Sequence, residues 1–209
     1  FLMGEHAWWA KVVTPFFQEV AHIPFWIHDP RAPECANSKS QALAQTIDLA
    51  PTILDYFDIS TPQDMQGQRL LDALRGDNDD GKAMREASLY GVMGGQVNVT
   101  DGRYVYMRGS ATDDNGPLFE YTLMPTHMRS RFAPAELRDW QRSDGFAFTK
   151  DCKVMRIPTR TPKALISADT PMGRGRRSTL LFDVQADPGQ LEPIMSTEIE
   201  ARMIRLMLL

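Results

Sequence analysis

Three short segments of alternating polarity, separated by glycine turns, constrain the fold of this 209-residue chain most strongly. The segments cover residues 87–93, 96–100 and 103–108. The dipeptides between them, Gly94-Gly95 and Asp101-Gly102, are typical of two-residue hairpin turns. A polarity period of two is the pattern of a β-strand, whose successive side chains point to opposite faces. The sequence therefore predicts a three-stranded antiparallel meander.

Other patterns predict elements on both sides of this meander. Asp48 is placed to N-cap a helix over residues 48–57, and leucines predict a second helix over 68–75. The apolar run 23–28, bounded by prolines, favours a buried strand. The later part of the chain is predicted to hold strands at 119–124 and 179–184, a short helix at 134–141, and a C-terminal helix opened by a capping box of Thr197 and Glu200, with an apolar stripe of Ile199, Met203 and Leu206. Residues 145–178 show little periodicity.

Composition and charge exclude several classes of function. Lys and Arg total 23 against 27 Asp and Glu, so the net charge is −4. This balance gives no support to a general nucleic-acid surface or to binding of anionic membranes. The apolar stretches are interrupted well short of the roughly 20 residues that a membrane span needs. We expect a soluble protein, either cytoplasmic or periplasmic, with no nucleic-acid and no membrane partner.

Cysteines, histidines and acidic residues show no metal-site spacing. Cys35 and Cys152 allow at most one disulfide and are predicted to be buried or inert thiols. The acidic segment 77–81 resembles a calcium loop, but its glycine comes one position early and no glutamate stands at the twelfth position. We therefore expect an acidic linker there and no metal site in this chain. The histidines that fit no local ligand spacing are His6, His22, His28 and His127.

Three motifs, in order along the chain, resemble the signatures of one enzyme family. Residues 1–11 are similar to a Leu-Gly-Glu-His-Gly-x-x-x-Lys pattern, and residues 14–24 to the Glu-x-x-x-His/Arg-x-Pro strand that follows it. Residues 45–55 with Met65-Gln66-Gly67 resemble the next signature. Residues 181–190 resemble the closing Leu-Tyr-Asp-Leu-x-x-Asp-Pro-x-Glu. The chain thus resembles the C-terminal portion of type I sulfatases of the alkaline phosphatase superfamily.

This resemblance implies an α/β fold in two parts. Residues 1–76 would be the end of an alkaline-phosphatase-like catalytic domain, and residues 77–86 an acidic linker. Residues 87–209 would form a small α+β subdomain with a four-stranded antiparallel sheet and a C-terminal helix. Because Phe1 falls just after the family's Asp-His-Gly, we expect the chain to belong to a longer parent enzyme.

A chain cut through a catalytic domain is expected to expose apolar surface that its missing part would cover. We therefore predict self-association or low solubility for the isolated chain. The partner that would cover this surface is the N-terminal sulfatase portion. The apolar residues expected at the surface are Phe16, Phe17, Phe25 and Trp26.

The resemblance also implies which residues form the site. The family's lysine that matches Lys11 contacts the sulfate group, where a compact ammonium can neutralise charge on the sulfuryl oxygens. Lys11 is therefore the candidate catalytic residue. The candidate substrate-binding residues in this segment are His6, Trp8 and Trp9. Two further candidates, His127 and Arg129, lie in an insertion between the meander and the closing strand, and insertions in such positions often shape a pocket. For His6, packing beneath the metal loop is an equal alternative, and the two tryptophans are also typical core residues.

Departures from the family pattern limit what this chain can do alone. The family's nucleophile is a formylglycine made from a Cys/Ser-x-Pro-x-Arg motif, and a divalent cation, usually calcium, holds the sulfate oxygens. That motif is absent, because residues 152–156 have valine where proline is required. The nucleophile and the metal ligands are therefore expected outside this chain, and calcium only in the parent.

The favoured function is the C-terminal part of a sulfatase-like hydrolase that cleaves sulfate monoesters, with a sulfate ester as substrate. One alternative is a phosphonate or phosphate ester hydrolase of the same superfamily. A second, from another class, is a non-catalytic truncated or interaction module, which the missing nucleophile favours.

Overall fold

A computed structural model describes residues 1–11, 16–75, 84–112, 115–124, 126–127, 129–159 and 178–208 of the chain. Within these ranges the fold is mixed α/β, with strands grouped in three antiparallel sheets. The strands and α-helices are, in chain order, β1 (Leu2–Met3), β2 (Trp9–Ala10), α1 (Gln18–Ala21), α2 (Leu49–Tyr56), α3 (Leu70–Arg75), β3 (Ser88–Gly91), β4 (Val97–Thr100), β5 (Tyr104–Arg108), β6 (Leu118–Thr122), β7 (Gln141–Ser143), β8 (Val154–Thr159), β9 (Leu180–Asp183) and α4 (Thr197–Met207).

The meander forms most of a four-stranded antiparallel sheet in the order β3-β4-β5-β9, so the predicted sheet is confirmed. Its turns differ in detail from the prediction. Gly91 pairs with Val97, which leaves a five-residue loop around the two glycines. The second hairpin turns at Gly102-Arg103, one residue later than predicted, where the N–H of Asp101 donates to the carbonyl of Tyr104 at 3.3 Å. Gly102 takes a φ of +92°, a value that favours glycine.

Both faces of this sheet are buried, each against a different part of the chain. On one face Tyr106 and its neighbours pack against Met203 of α4, and Met203 is fully buried. The opposite face packs against Phe17, which directly precedes α1. The apolar stripe predicted for α4 is thereby confirmed. The residues of the first face are Val99, Tyr106 and Leu181, and those of the second are Val105, Met107 and Phe182.

A second sheet has three strands in the order β6-β8-β7. Its edge strand β6 overlaps the strand predicted at 119–124, whereas its central strand β8 lies in the range 145–178 that shows little periodicity. Its central strand β8 was not predicted, because Arg156 and Pro158 interrupt the alternation of polarity. Here Arg156 packs its guanidinium 3.5 Å from the ring centroid of Phe119, which compensates a charged side chain in a half-buried position.

Two predicted elements are wrong. Residues 23–28 form no strand, because they have no pairing partner among the described residues, and Trp26 is 85% exposed. Residues 134–139 form turns rather than a helix, and 141–143 belong to β7. Only isolated turn hydrogen bonds form there, such as Glu136 N–H to Ala133 C=O at 2.9 Å. An exposed segment of this length gains too little from packing to stabilise a helix.

Details at two further positions also differ from the predictions. The N-cap of α4 is Ser196, whose Oγ accepts from the N–H of Ile199, so Thr197 is the first helical residue and the predicted capping box is wrong. Both cysteines are free thiols, and Cys152 is exposed rather than buried. Residues 76–83, which contain the predicted acidic linker segment, lie outside the described residues. In the described ranges, no helix is both long and apolar enough to cross a membrane.

Candidate functional site

The segment that carries Lys11 is a short antiparallel hairpin. β1 and β2 pair Leu2 with Ala10 and Met3 with Trp9, and the 3₁₀ turn Glu5–Ala7 lies between the strands. His6 and Ala7 have φ values of +53° and +57°, in the left-handed region that non-glycine residues rarely adopt. Such a conformation persists only where surrounding contacts hold it. The contacts of His6 therefore decide how this hairpin is held.

His6 points into the protein, toward α1. Its ring stacks on Phe17, with centroids 3.7 Å apart and planes 7° apart. Its Nε2 lies 3.5 Å from Oε2 of Glu19, and the His6 side chain is 13% exposed. Neither atom has a hydrogen-bond partner of good geometry. The structure thus places His6 behind the hairpin, where it joins the turn to α1.

Lys11 and the two tryptophans differ in how far they are exposed to solvent. Lys11 is exposed and makes no ion pair within the described ranges, so its ammonium is available to an anion. Trp9 is 71% exposed, whereas Trp8 is half-buried. Consecutive residues of extended backbone project to opposite sides. The two indoles therefore do not form one wall beside Lys11.

The closing motif of the chain reaches the same place from far along the sequence. Oε1 of Gln190 accepts the backbone N–H of Gln18, the first residue of α1, at 2.7 Å. Gln190 is 3% exposed and has a φ of +48°. Beside this contact, Phe17 meets Phe182 edge-on with centroids 6.4 Å apart. The hairpin and α1 are thus seated on one face of the four-stranded sheet.

His127 belongs to a different cluster, next to the second sheet. Its Nε2 lies 2.9 Å from Oε1 of Glu136, and its Nδ1 lies 3.9 Å from Oε2 of Glu120 on β6. The ring also packs on Phe132, with centroids 3.9 Å apart. The N–H of Ala133 and then His127 lower the pKa of Glu136. These contacts tie His127 to its own sheet.

Arg129, the other candidate from this insertion, is exposed. The contacts that hold His127 come from β6 and from residues 132–136, whereas His6 is held by residues 17–19. The structure therefore distributes the candidate substrate-binding residues over two clusters with separate partners. It places Lys11 in the hairpin with His6 and leaves His127 and Arg129 beside the second sheet.

Asp48 is the centre of a buried ion-pair network, which corrects the expectation that it N-caps α2. Its side chain makes no cap bond to that helix. Instead Arg85 donates to both carboxylate oxygens, at 2.7 and 2.8 Å, and the N–H groups of Gln68 and Gln45 donate at 2.8 and 2.7 Å. Asp48 is fully buried. Burial raises the pKa of this carboxyl, but Arg85 and the two N–H groups outweigh burial, so the pKa is below its usual range.

The same network explains the second sequence motif. The Oγ1 of Thr52 donates to the carbonyl of Asp48 at 2.6 Å and accepts the N–H of Leu70 at 3.0 Å, so it joins α2 to α3. Gly67 passes so close to Ile47 that a Cβ would lie 2.0 Å from its carbonyl oxygen. These residues hold the architecture and are not aimed at a substrate.

A cavity of about 300 Å³ lies between α1, residues 43–49 and the first two strands of the four-stranded sheet. Its lining is largely apolar and includes Ile23, Phe25 and Leu49. Burial raises the pKa of Tyr90, which also lines it. The cavity is continuous with the unpaired run 23–28, so it belongs to the exposed apolar surface of this part of the chain.

The calcium that the sequence resemblance implies is not accommodated by the residues at hand. Within the described part of the chain, no group of three or more His, Cys, Asp or Glu side chains is arranged to hold a metal ion. Asp48 and Asp29, the two buried aspartates, are each paired with an arginine. An arginine partner competes with a cation for the same carboxylate oxygens.

Two residues of the hairpin's surroundings escaped the sequence reasoning. Glu19 lies within the motif of residues 14–24 and Gln190 ends the closing motif, but neither motif indicates a role for them. The family's closing pattern ends in glutamate, and Gln190 stands at that position. A polar residue at this place was the one signal that the sequence offered. Nothing local to residue 190 indicated a contact with residue 18, which lies 172 positions earlier.

Comparison with known proteins places this chain beside sulfatases. Residues 4–107 match the family model described as N-sulphoglucosamine sulphohydrolase, C-terminal. The chain is also similar to an N-acetylglucosamine-6-O-sulfatase of Bacteroides thetaiotaomicron, with 33% identity over 90 residues. Those residues are 43% of this chain and 16% of the relative. The chain thus matches a small part of a much longer protein.

Proposed function

The chain belongs to the sulfatase family and corresponds to the C-terminal portion of its members, and on that premise we propose that its parent enzyme hydrolyses sulfate monoesters. The observation that supports this proposal is the exposed Lys11 ammonium at the end of a hairpin whose turn is held from behind by His6. A cation on a rigid, partly exposed hairpin is suited to binding an anionic group.

Lys11 would act as an electrostatic contact to the sulfate. Sulfuryl transfer places negative charge on the non-bridging oxygens, and an ammonium fixed near them stabilises that charge without reorganising during the reaction. No residue in the described ranges forms an ion pair with Lys11, so none of them neutralises its charge. If Lys11 were instead an ordinary solvated surface lysine, its removal would not change turnover.

Within this proposal the remaining chemical groups come from outside the chain. The formylglycine nucleophile and the ligands of a divalent cation would lie in the N-terminal portion of the parent. Residues 1–76 would complete its catalytic domain, and residues 87–209 would form the C-terminal subdomain. Residues 77–86 would be the linker between these two parts. The isolated chain is accordingly expected to be inactive.

The substrate class is proposed from the same comparisons. Both the matched family description and the relative's name contain a glucosamine. We therefore propose a sulfated glucosamine as the substrate, with His6, Trp8, Trp9, His127 and Arg129 kept as candidate contacts. Of these, the exposed Trp9 presents an apolar ring suited to a sugar face.

Substitution of Lys11 tests the proposed function. In the full-length parent, Lys11→Ala is expected to lower kcat/KM for N-acetylglucosamine 6-sulfate or an aryl sulfate by about a hundred- to a thousandfold, as for loss of an oxyanion contact. Lys153→Ala is the matched control, because Lys153 is an exposed lysine whose ion-pair partner among the described residues is the exposed Asp144. Unchanged turnover in Lys11→Ala would show that the residue is assigned wrongly.

The same assay separates the alternatives. Steady-state comparison of sulfate with phosphate and phosphonate esters of the same alcohol tests the preference for sulfur. A parent that prefers phosphate or phosphonate would be the alternative hydrolase of this superfamily. A parent with no turnover of any of these esters would favour the non-catalytic module.

The N-terminal portion of the parent is the proposed partner for the exposed apolar surface. Trp26 is 85% exposed and Phe25 48%, whereas Phe16 and Phe17 are half-buried against the chain itself. Exposed aromatic residues on an unpaired run beside an apolar cavity are typical of a surface that is covered by another segment.

Self-association of the isolated chain follows from this surface. Light scattering is expected to show species larger than the 23.6 kDa monomer, and Trp26→Ser to shift them toward the monomer. Trp140→Ser is the matched control, since Trp140 is 46% exposed on another segment. A monodisperse monomer of the unsubstituted chain would contradict the prediction.

A further inference from the structure

We propose that Gln190 and Glu19 are positioning residues for the Lys11 ammonium, which they hold in place through α1 and His6. This inference rests on the proposed function, because it concerns the group that would contact the sulfate. Neither residue touches Lys11 itself. The contacts lead from Gln190 to α1, from α1 to His6, and from His6 along the hairpin to Lys11.

The first step is the contact of Gln190 with α1. The first N–H groups of a helix have no partner within the helix, and the N-cap residue Phe17 offers no side-chain oxygen. Gln190 supplies the missing acceptor at 2.7 Å to the N–H of Gln18. Because Gln190 is only 3% exposed, water cannot easily replace this hydrogen bond. Gln190 therefore sets where α1 begins.

The second step is the contact of α1 with His6. Glu19 follows Gln18 directly, and its Oε2 lies 3.5 Å from Nε2 of His6, which also stacks on Phe17. Phe17 and Glu19, the two residues that flank Gln18, thus both contact the imidazole. Because α1 begins where Gln190 fixes it, the position of His6 depends on Gln190 as well.

The third step is the hairpin. His6 occupies the left-handed turn between β1 and β2, and Leu2 of β1 is buried at 2% exposure. The pairs Leu2–Ala10 and Met3–Trp9 make β2 follow any displacement of the turn. Lys11 is the residue after β2, so its backbone is placed by the same hairpin.

The hydrogen-bond inventory distinguishes this cluster from ordinary packing. Among the described residues, seven buried side-chain atoms lack a hydrogen-bond partner, and three of them are Nε2 of His6, Oε2 of Glu19 and Nε2 of Gln190. Buried polar groups that serve only the fold are nearly always satisfied, so each exception needs an explanation. Three of the seven atoms thus belong to the contacts that join Gln190, α1 and the hairpin.

A double-mutant cycle in the full-length parent tests the proposal. Gln190→Met removes the acceptor while keeping the volume, and is expected to lower kcat/KM about ten- to a hundredfold, because a displacement of about 1 Å can cost that much. Gln190→Glu keeps an oxygen for the N–H of Gln18 and is expected to stay within about threefold of the unsubstituted enzyme. In the Lys11→Ala background, Gln190→Met is expected to cost less than about threefold, because the group it positions is gone.

Controls separate a positioning role from a structural one. Gln96→Met replaces another buried glutamine, which directly precedes β4, is 2% exposed and donates to the carbonyl of Ser178, and should leave kcat/KM within about twofold. If Gln190→Met fails to fold, Glu19→Gln serves in the same cycle, with an expected five- to tenfold loss that disappears in Lys11→Ala. Equal losses in both backgrounds, or no rescue by Gln190→Glu, would overturn the proposal.

The readout also separates this proposal from the proposed function. If the parent turns over only phosphate or phosphonate esters, the cycle is measured with that ester. If it turns over none, binding of inorganic sulfate to the parent is measured by calorimetry. Non-additive weakening by Lys11→Ala and Gln190→Met would then support the positioning role although the proposed function had failed, and additive or absent effects would refute it.

Discussion

The Asp48 network and the cluster of His6, Glu19 and Gln190 are both buried polar groups that join distant segments, yet they are satisfied to very different degrees. Four donors surround the Asp48 carboxylate, two from Arg85 and two from backbone N–H groups. In the second cluster, three buried atoms have no hydrogen-bond partner.

The difference separates two uses of buried polarity. A fully satisfied charged network fixes the relative positions of α2, α3 and the residues before β3, and it tolerates little change because any loss leaves an unpaired buried charge. The His6 cluster instead holds its members by stacking and by a long ion-pair contact. It therefore contributes less to stability and more to the placement of the exposed residues that follow.

Removal of Asp48 should have the largest effect on stability. In the parent, Asp48→Ala leaves Arg85 buried without its partner and is expected to lower the free energy of unfolding by about 3–5 kcal/mol. Urea unfolding followed by fluorescence measures this change, with the exposed Asp144→Ala as a control that should show no resolvable effect. A loss below about 1 kcal/mol would break the comparison, because the satisfied network would then carry no more than a surface pair.

Glu19→Gln should have a much smaller effect on stability. The contact between Glu19 and His6 is long and Glu19 is 27% exposed, so the same urea experiment is expected to show a loss under about 1 kcal/mol. If Glu19→Gln lowered the free energy of unfolding as much as Asp48→Ala does, both clusters would serve mainly to stabilise the fold. The contrast sharpens if activity falls in Glu19→Gln while stability is retained.

Those parts of the fold that are set locally were predictable. The glycines at 94, 95 and 102 and the alternation around them determine the meander, and the stripe on α4 follows from helical spacing. Residues 23–28 and 134–141 failed because a strand needs a neighbour and a short helix needs packing. Neither requirement is visible in a local pattern.

The site divides in the same way. Lys11 is proposed from a motif whose residues are neighbours in sequence, and the structure places most of that motif in one hairpin. Asp48 was read as a helix cap, since acids commonly hold that position, whereas its true partner Arg85 lies 37 residues later. Gln190 could not be connected to Gln18 at all, because 172 residues separate them and only the tertiary fold joins them.

The contact between Gln190 and Gln18 has a consequence for biosynthesis. A ribosome adds Gln190 172 residues after Gln18. At typical elongation rates of about 5–20 residues per second, roughly ten to thirty seconds pass between the two. During that interval the nascent chain has Lys11 but not Gln190, so the hydrogen bond between Gln190 and α1 cannot form until a distant segment of the chain has been made.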